Sequence, residues 1–562
     1  MNYEETAELL FPDVKETPAD MEARYPARTL PEGAKVTRFA PSPTGFVHFG
    51  GLFPVTVGER LAHQSGGVFY LRIEDTDAKR EIPGAAEGLI RTLERYGIRF
   101  DEGAAADGDN GDYGPYRQSQ RVAIYHVYAK DLVRRGLAYP VFSTEEEQAA
   151  HDALDKKAEI QAKDWHAADA DAARRREEQR AITAEQVKAE LDMGHPYVLR
   201  IRADGSPDRR VPFTDLIKGK LEVPENDEDF VLLKSDGVPT YHFAHAVDDH
   251  LMGTTHVIRG EEWLPSLPKH IQLFRALGFR MPKYMHIAQL MRLDENGAKK
   301  KLSKRDMGAN LDDYSRMGYD PDCVMEYVMT LLNSNYEEWH AANPTLSYTD
   351  FPFSVKKMST SGCLFDFVKL NDVSKNVISR MTAEQVYERT LAWAHGFDPE
   401  FAQELERDPE RARRILSIGR GGKKPRKDFA TWADVRPHIS FFYDRFFATE
   451  DECPATFSAD QQCKAIEAFL ATYCTRDDMQ TWFDKIKEIC PMLGFASEMK
   501  EYKANPEAFG GNVGDVSMFL RLAVTGRLNS PDLYEVMQIL GEDCVRQRLT
   551  DRIHQLTNRT EK

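Results

Sequence analysis

The stretch P-S-P-T-G-F-V-H-F-G-G, from Pro41 to Gly51, separates two segments of different periodicity. Before it, Lys35 to Ala40 predicts a short strand. After it, Leu52 to Gln64 predicts a helix, which Gly66-Gly67 ends before a second strand over Val68 to Ile73. Strand, Gly-rich turn, helix and strand make half of a nucleotide-binding α/β unit. The turn also holds what phosphate chemistry needs. Glycines let backbone approach an anion, and the amides at a helix N-terminus point toward it. His48 adds a side-chain donor for a phosphoryl group. Taken alone, H-x-G-G equally suits a strand-to-helix turn built around a hydrogen-bonded histidine.

Working outward, helices are predicted at Gly84 to Tyr96 and at Val122 to Arg134, the second with Tyr125, Tyr128 and Leu132 on one face. Glu145 to Met193 is charged, Ala-rich and poor in large apolar residues, the pattern of a solvated helical insertion. Phe230 to Leu233 and Thr255 to Ile258 read as strands resuming the sheet, and from about residue 310 the pattern is helical. Residues 1–33 are acidic, are broken by Pro18, Pro26 and Pro31, and read as an extension preceding the first domain. With 562 residues the chain exceeds one core, and roughly three to five domains or subdomains are expected. The reading is an α/β nucleotide-binding core with an insertion, followed by an all-helical half. Its segments are 1–33, a core first half at 34–140, an inserted subdomain at 141–225, a core second half at 226–310, a helical stem-contact region at 311–385 and a terminal helical domain at 386–562.

Composition excludes several classes. No apolar run approaches the roughly 20 residues of a membrane helix, and the acidic start lacks the order of a secretory signal. A cytoplasmic location is expected. The seven cysteines fall between Cys323 and Cys544 without Cys-x-x-Cys spacing, which argues against a disulfide scaffold or a zinc site. Net charge is −17, so contact with an anionic polymer has to rest on local basic patches.

A second run, K-K-K-L-S-K-R-D from Lys299 to Asp306, carries Ser303 between Lys301 and Lys304. A basic loop of this kind suits a triphosphate whose charge redistributes during reaction, and alone it is also an ordinary surface loop. The two runs together resemble the paired signatures of class I aminoacyl-tRNA synthetases, read here as H-F-G-G and K-L-S-K-R. The segments between them narrow the resemblance to the glutamyl-tRNA synthetase family. They are R-I-E-D-T-D (Arg72 to Asp77), Y-G-P-Y-R-Q-S-Q-R (Tyr113 to Arg121), Y-H-F-A-H-A-V-D-D-H-L-M-G (Tyr241 to Gly253) and V-I-R-G-E-E-W (Val257 to Trp263). The relative for glutamine would open with a Pro-Glu-Pro-Asn-Gly type of turn. The resemblance is dense from Arg38 to Arg305 and returns at L-R-L-A-V-T-G-R, Leu520 to Arg527.

That resemblance implies a Rossmann-type core with an inserted acceptor-end subdomain and a helical anticodon-binding half. It implies ATP contacts from Pro41, Thr44, Gly45, His48, Gly50, Gly51 and Lys304, with His48, Lys301, Ser303 and Lys304 carrying the chemistry. Arg38, Tyr241 and Arg259 match positions that hold the glutamate side-chain carboxylate, and guanidinium forks suit that anion. Ser42 and Glu74 match positions around the α-amino group. Magnesium is expected to arrive with ATP. The expected partners are L-glutamate and tRNA(Glu), with a monomeric chain. Arg411, Arg414, Lys423, Lys424 and Arg426 are the candidate RNA contacts, in a basic stretch interrupted by Gly419, Gly421 and Gly422. Phe441 to Tyr443 and Phe446-Phe447 are expected to pack between helices rather than stack on bases.

Departures are visible as well. Tyr139 is followed by P-V-F-S-T where many relatives carry zinc cysteines, so no zinc is expected. His245 stands where an asparagine is common. Lys369-Leu370-Asn371 is followed by D-V-S-K-N in place of an aromatic-rich motif. Asp248-Asp249-His250 is expected to form a structural turn rather than a metal site. The alternatives are an enzyme that also charges tRNA(Gln) with glutamate, and a non-catalytic RNA-binding derivative.

Overall fold

The computed structural model of the chain describes residues 2–77, 81–142, 174, 176–302 and 309–560. It divides into two units, Met1–Asp313 with Val328–Asp366, and Tyr314–Tyr327 with Phe367–Lys562.

In the first unit the predicted half-unit forms almost as read. Strand β1 (Val36–Phe39) runs parallel to β2 (Val68–Leu71), with Arg38 opposite Tyr70. Helix Leu52–Gln64 crosses between them with the predicted bounds. Its residues Leu52, Phe53, Val55, Val57, Leu61 and Ala62 are all buried, as a helix lying on a parallel sheet requires. Gly58 sits at the contact, where a Cβ would come within 2.9 Å of the Phe69 ring. Parallel strand β3 (Glu102–Ala105) and antiparallel β4 (Gly108–Asn110) extend the sheet. The Thr255 amide bonds the Val36 carbonyl at 2.9 Å on the other edge of β1. It thereby starts a parallel pair of His256–Gly260 with Lys283–Ile287.

The intervening segment contributes strands Ala138–Phe142, Tyr197–Ile201 and Val231–Leu233, and an antiparallel hairpin of Arg210–Asp215 with Gly219–Pro224. The charged insertion lies largely outside the described residues, and its described end contains helix Ala184–Asp192. Two expectations are corrected here. Asp248, Asp249 and His250 lie inside helix Tyr241–Leu251, because Phe243, Ala244, Val247 and Leu251 give that segment a helical apolar face. The acidic N-terminal segment is packed onto the unit rather than merely preceding it. It forms helices Tyr3–Leu10 and Pro18–Arg24, and it buries Ala7, Leu10, Phe11, Met21 and Tyr25 in one core with helix Val122–Arg134. The charges sit on the outward face, with Glu4 and Glu8 paired to Arg134 and Lys130. That separation is why charge-averaging the sequence hid the apolar stripe.

The second unit is helical. Helix Val513–Thr525 carries the L-R-L-A-V-T-G-R motif, and Gly526 at φ +71° ends it. Arg548 donates to the Phe441 carbonyl at 2.6 Å and to the Val524 carbonyl at 2.8 Å, tying the terminal helix into this core. Phe441, Phe442 and Tyr443 are buried, and Phe446 and Phe447 pack against them, in agreement with the packing expectation. Lys369 to Asn371 lie in helix Phe367–Arg380, where Asn371 accepts a bond from the Tyr319 hydroxyl.

Candidate active site

The signature turn leaves the end of β1. Gly45 has φ +146°, a conformation in which a side chain would be strained. His48 caps the short helix Phe49–Gly51, its Nδ1 accepting from the Gly50 amide at 2.9 Å, so the ring N–H is on Nε2. The polypeptide following the basic run pairs with this turn. The Phe49 amide donates to the Ala309 carbonyl at 2.7 Å, the Leu311 amide donates to the Val47 carbonyl at 3.1 Å, and His48 opposes Asn310. These bonds join the turn to the segment that follows the basic run, roughly 260 residues away in the sequence. Lys301 is exposed at the end of strand Lys299–Lys301, which pairs with Leu290–Leu293. Ser303 and Lys304 lie outside the described residues. Pro41, Thr44, Gly45, Gly50 and Gly51 share the turn with His48, and the Pro41 carbonyl accepts from the Glu74 amide at 2.9 Å. Ser42 is exposed beside them.

A second cluster of buried charge forms where the ends of β1 and β2, helix Tyr241–Leu251 and strand His256–Gly260 converge. Burial pushes the Tyr241 hydroxyl pKa up. Glu74 and Asp249 act the same way, and Arg259 and Arg38 oppose them. Arg38 bonds Asp249 at 3.3 Å, and Arg72 bonds the same oxygen at 2.7 Å while holding Glu74 at 2.9 Å. Asp248 accepts from Arg121 at 2.7 Å, from Gln118 at 2.8 Å and from Tyr125 at 2.8 Å. The aspartate pair is therefore an electrostatic anchor inside the core. Burial raises the Glu74 carboxyl, and Arg72 and Arg38 oppose that rise.

Arg259 is placed differently. Its Nε donates to His286 at 3.0 Å and its Nη1 donates to His270 at 3.1 Å, while the rings of Tyr284 and Trp263 lie 4.8 and 5.9 Å away. A guanidinium only donates, so both imidazoles must accept. His270 then offers its Nε2–H to His242 Nδ1 at 3.0 Å. Burial lowers the pKa of His270 well below its ordinary value and lowers that of His242 to about 4, which keeps them neutral. No carboxylate lies within ion-pair distance of Arg259 among the described residues. The Arg259 residue is 5% exposed, and the groups that its guanidinium touches among the described residues are neutral.

His245, in place of the common asparagine, is fully buried. It stacks on Tyr241 with centroids 5.6 Å apart and planes within 8°, and bonds the Tyr284 hydroxyl at 3.0 Å. Its Nδ1 comes within 2.9 Å of Asp249 without hydrogen-bond alignment. Arg72, Asp249 and His270 were not singled out for the pocket from sequence, although the first two lie in the motif segments. His286 and Asp215 carried no signal at all.

In the helical unit the basic stretch splits into two groups. Arg411 donates to the Phe442 carbonyl at 2.7 Å, Arg420 to the Ile378 carbonyl at 2.7 Å, and Arg426 forms a fork with Asp428 at 2.9 and 3.0 Å. Arg414, Lys423 and Lys424 are exposed and make no ion pair among the described residues.

A nucleotide-type turn at the end of β1, with buried arginines converging on the ends of the neighbouring strands, points to a class I tRNA synthetase. The family model for "tRNA synthetases class I (E and Q), catalytic domain" matches residues 35–360, and "Anticodon binding domain" matches residues 426–553. The chain belongs to that class I family, in its glutamate–tRNA ligase branch. It is 47% identical to the glutamate–tRNA ligase of Clostridium perfringens (strain 13 / Type A) over 98% of this chain and all of that one. With the enzyme of Acetivibrio thermocellus the identity is also 47%, over 98% and 99% of the two chains. The crystal structure of a glutamate tRNA ligase from Elizabethkingia meningosepticum CCUG26117 in complex with its amino acid superposes with a TM-score of 0.73 at 29% identity, covering 93% of this chain and 99% of that one.

Proposed function

We propose that this chain ligates L-glutamate to the 3′ end of tRNA(Glu) in an ATP-dependent reaction, with the substrate side-chain carboxylate received by Arg259, Arg38 and Tyr241. The observation that carries the pocket assignment is the state of Arg259, a buried cation whose protein partners are neutral. A carboxylate placed there supplies the missing counter-charge, and a guanidinium accepts it in a bidentate fork. Arg38, already shared with Asp249, shapes the pocket more than it sets its net charge. Glu74, raised by burial, and Ser42 receive the α-ammonium, whose charge favours the ionised carboxylate.

The glutamate α-carboxylate attacks the α-phosphorus of ATP in line, giving glutamyl-adenylate and pyrophosphate. The terminal ribose 2′-OH of the tRNA then attacks the activated carbonyl and releases AMP. No side-chain nucleophile takes part, and positioning and electrostatic stabilisation supply the rate. His48 donates from Nε2 toward the phosphates, and the family resemblance gives Lys301, Ser303 and Lys304 the role of bringing charge and hydrogen bonds to the same group. Mg2+ enters with ATP as the nucleotide complex. Zinc is not part of this reading. The Tyr139 hydroxyl and the Arg180 fork are both committed to Asp229, at 2.7 Å and at 2.8 and 2.6 Å.

On the RNA side, Arg414, Lys423 and Lys424 are the contacts favoured by their exposure, and Arg411 and Arg426 shape the surface that presents them. No helix among the described residues is long and apolar enough to cross a membrane, and we place the enzyme in the cytoplasm as a monomer. The test is glutamate-dependent ATP–pyrophosphate exchange with and without tRNA, followed by charging of purified tRNA(Glu) and tRNA(Gln). Exchange is expected only when tRNA is present. Absence of glutamate-dependent exchange with tRNA present would overturn the assignment, and charging of both tRNAs would widen the acceptor.

A further inference from the structure

The hairpin of Arg210–Asp215 with Gly219–Pro224 is largely exposed along its first strand, yet that strand ends in a fully buried aspartate. Asp215 Oδ1 accepts from the amides of Ile217 and Lys218 at 2.9 and 2.8 Å. Its Oδ2 accepts from the His286 amide at 3.1 Å and from His286 Nδ1 at 2.7 Å. All four interactions arrive as N–H donors, which suits an ionised carboxylate. An asparagine would turn its NH2 toward two donors in either orientation. With Nδ1–H given to Asp215, His286 has its lone pair on Nε2, and that lone pair receives Arg259 Nε–H. The other tautomer, or the imidazolium, would set N–H against N–H. Hairpin, β-strand and pocket arginine are thus joined by one polarised chain of hydrogen bonds.

We infer that Asp215 is a positioning residue for glutamate selection, acting through His286 to hold the Arg259 guanidinium at the angle its substrate carboxylate needs. The inference rests on the assignment of Arg259 to that carboxylate. A role confined to anchoring the hairpin would change stability but would leave substrate affinity and the preference for glutamate over glutamine untouched.

The test compares Asp215→Asn, His286→Phe, their double variant and Arg259→Gln, in steady-state assays with glutamate, glutamine and ATP. Asp215→Asn and His286→Phe should each raise the glutamate KM about tenfold, the loss expected for one hydrogen bond to a charged group, with the ATP KM held within about twofold. Both should narrow the preference over glutamine, and the double variant should be no worse than the poorer single one. Folded single variants with the parent KM and preference, or losses that multiply in the double variant, would overturn the inference. Should Asp215→Asn not fold, His286→Phe decides alone, since it leaves the turn bonds of Asp215 and the backbone amide in place, and an unchanged glutamate KM there refutes the relay. The Arg259→Gln arm separates the two levels. If that variant keeps full glutamate use, the substrate assignment falls. If it loses glutamate use while the other two variants do not, only the relay falls.

Discussion

Replacing Arg259 by glutamine should turn a strong preference for glutamate over glutamine into a weak one. Glutamine has nearly the shape of glutamate but brings no charge, so in the parent it leaves the Arg259 cation buried and unpaired. Such an uncompensated charge costs on the order of 3–5 kcal/mol. The rings of Tyr284 and Trp263 and the carbonyl of Trp263 offset part of that cost, with distances of 4.8, 5.9 and 3.4 Å. The aromatic contribution is about 0.5–2 kcal/mol, leaving a penalty of about 3 kcal/mol and a parent preference of roughly two orders of magnitude at 1.4 kcal/mol per tenfold. Arg38 does not change this result, because Asp249 already faces it. In Arg259→Gln, kcat/KM for glutamate should fall about a hundredfold, and the preference should shrink to within about tenfold. The assay is kcat/KM for both amino acids in the two proteins, measured with tRNA present. A parent that uses both amino acids equally, or a variant that keeps the parent's full preference, would refute the charge argument.

Other consequences can be checked directly. Lys304→Ala should lower single-turnover adenylation by roughly a hundred- to a thousandfold, the loss of one preorganised donor, and a rate within a few-fold of the parent would remove this loop from the chemistry. Met21→Ala, at a fully buried position of the N-terminal segment, should cost about 2–5 kcal/mol, read as a lower urea midpoint for the α/β unit. An unchanged midpoint would mean that the segment only decorates the surface. Acid should weaken the fold earlier than carboxylate titration alone predicts. His242, His245 and His256 are lowered to about 4 by burial, whereas an unfolded histidine titrates near about 6.5. Between those values the unfolded chain takes up protons that the fold refuses, so stability is complete above about 6.5 and declines as pH falls toward about 4. The slope is at most about 1.4 kcal/mol per pH unit for each histidine. A melting temperature flat from pH 7 to pH 4.5 would contradict it.

Sequence alone determined the half-unit around Pro41 to Gly51, because each of its elements is set by local chemistry. Helix Leu52–Gln64 is apolar through the region that meets the sheet, the turn needs Gly45, and Val68–Leu71 is a continuous apolar run. Helix Val122–Arg134 was legible for the same reason, its buried tyrosines recurring at helical spacing. The two basic and glycine-rich signatures were visible as motifs, and Arg38, Glu74, Tyr241 and Arg259 could be named through them. Tertiary structure decided what those residues face. The bonds between Val47–Phe49 and Ala309–Leu311 join segments that no periodicity relates. That Arg38 has a carboxylate partner and Arg259 has none among the described residues depends on which side chains of helix Tyr241–Leu251 and strand Lys283–Ile287 point inward, and hydrophobic patterning does not encode such pairings of buried polar groups. The N-terminal segment shows the same limit, since its few apolar residues become core only because helix Val122–Arg134 offers a matching face. Asp215 is the extreme case. It looks like one more charge on an exposed hairpin until the register of that hairpin against Lys283–Ile287 places it beneath His286, where a low-dielectric surround turns one hydrogen bond into control over an arginine.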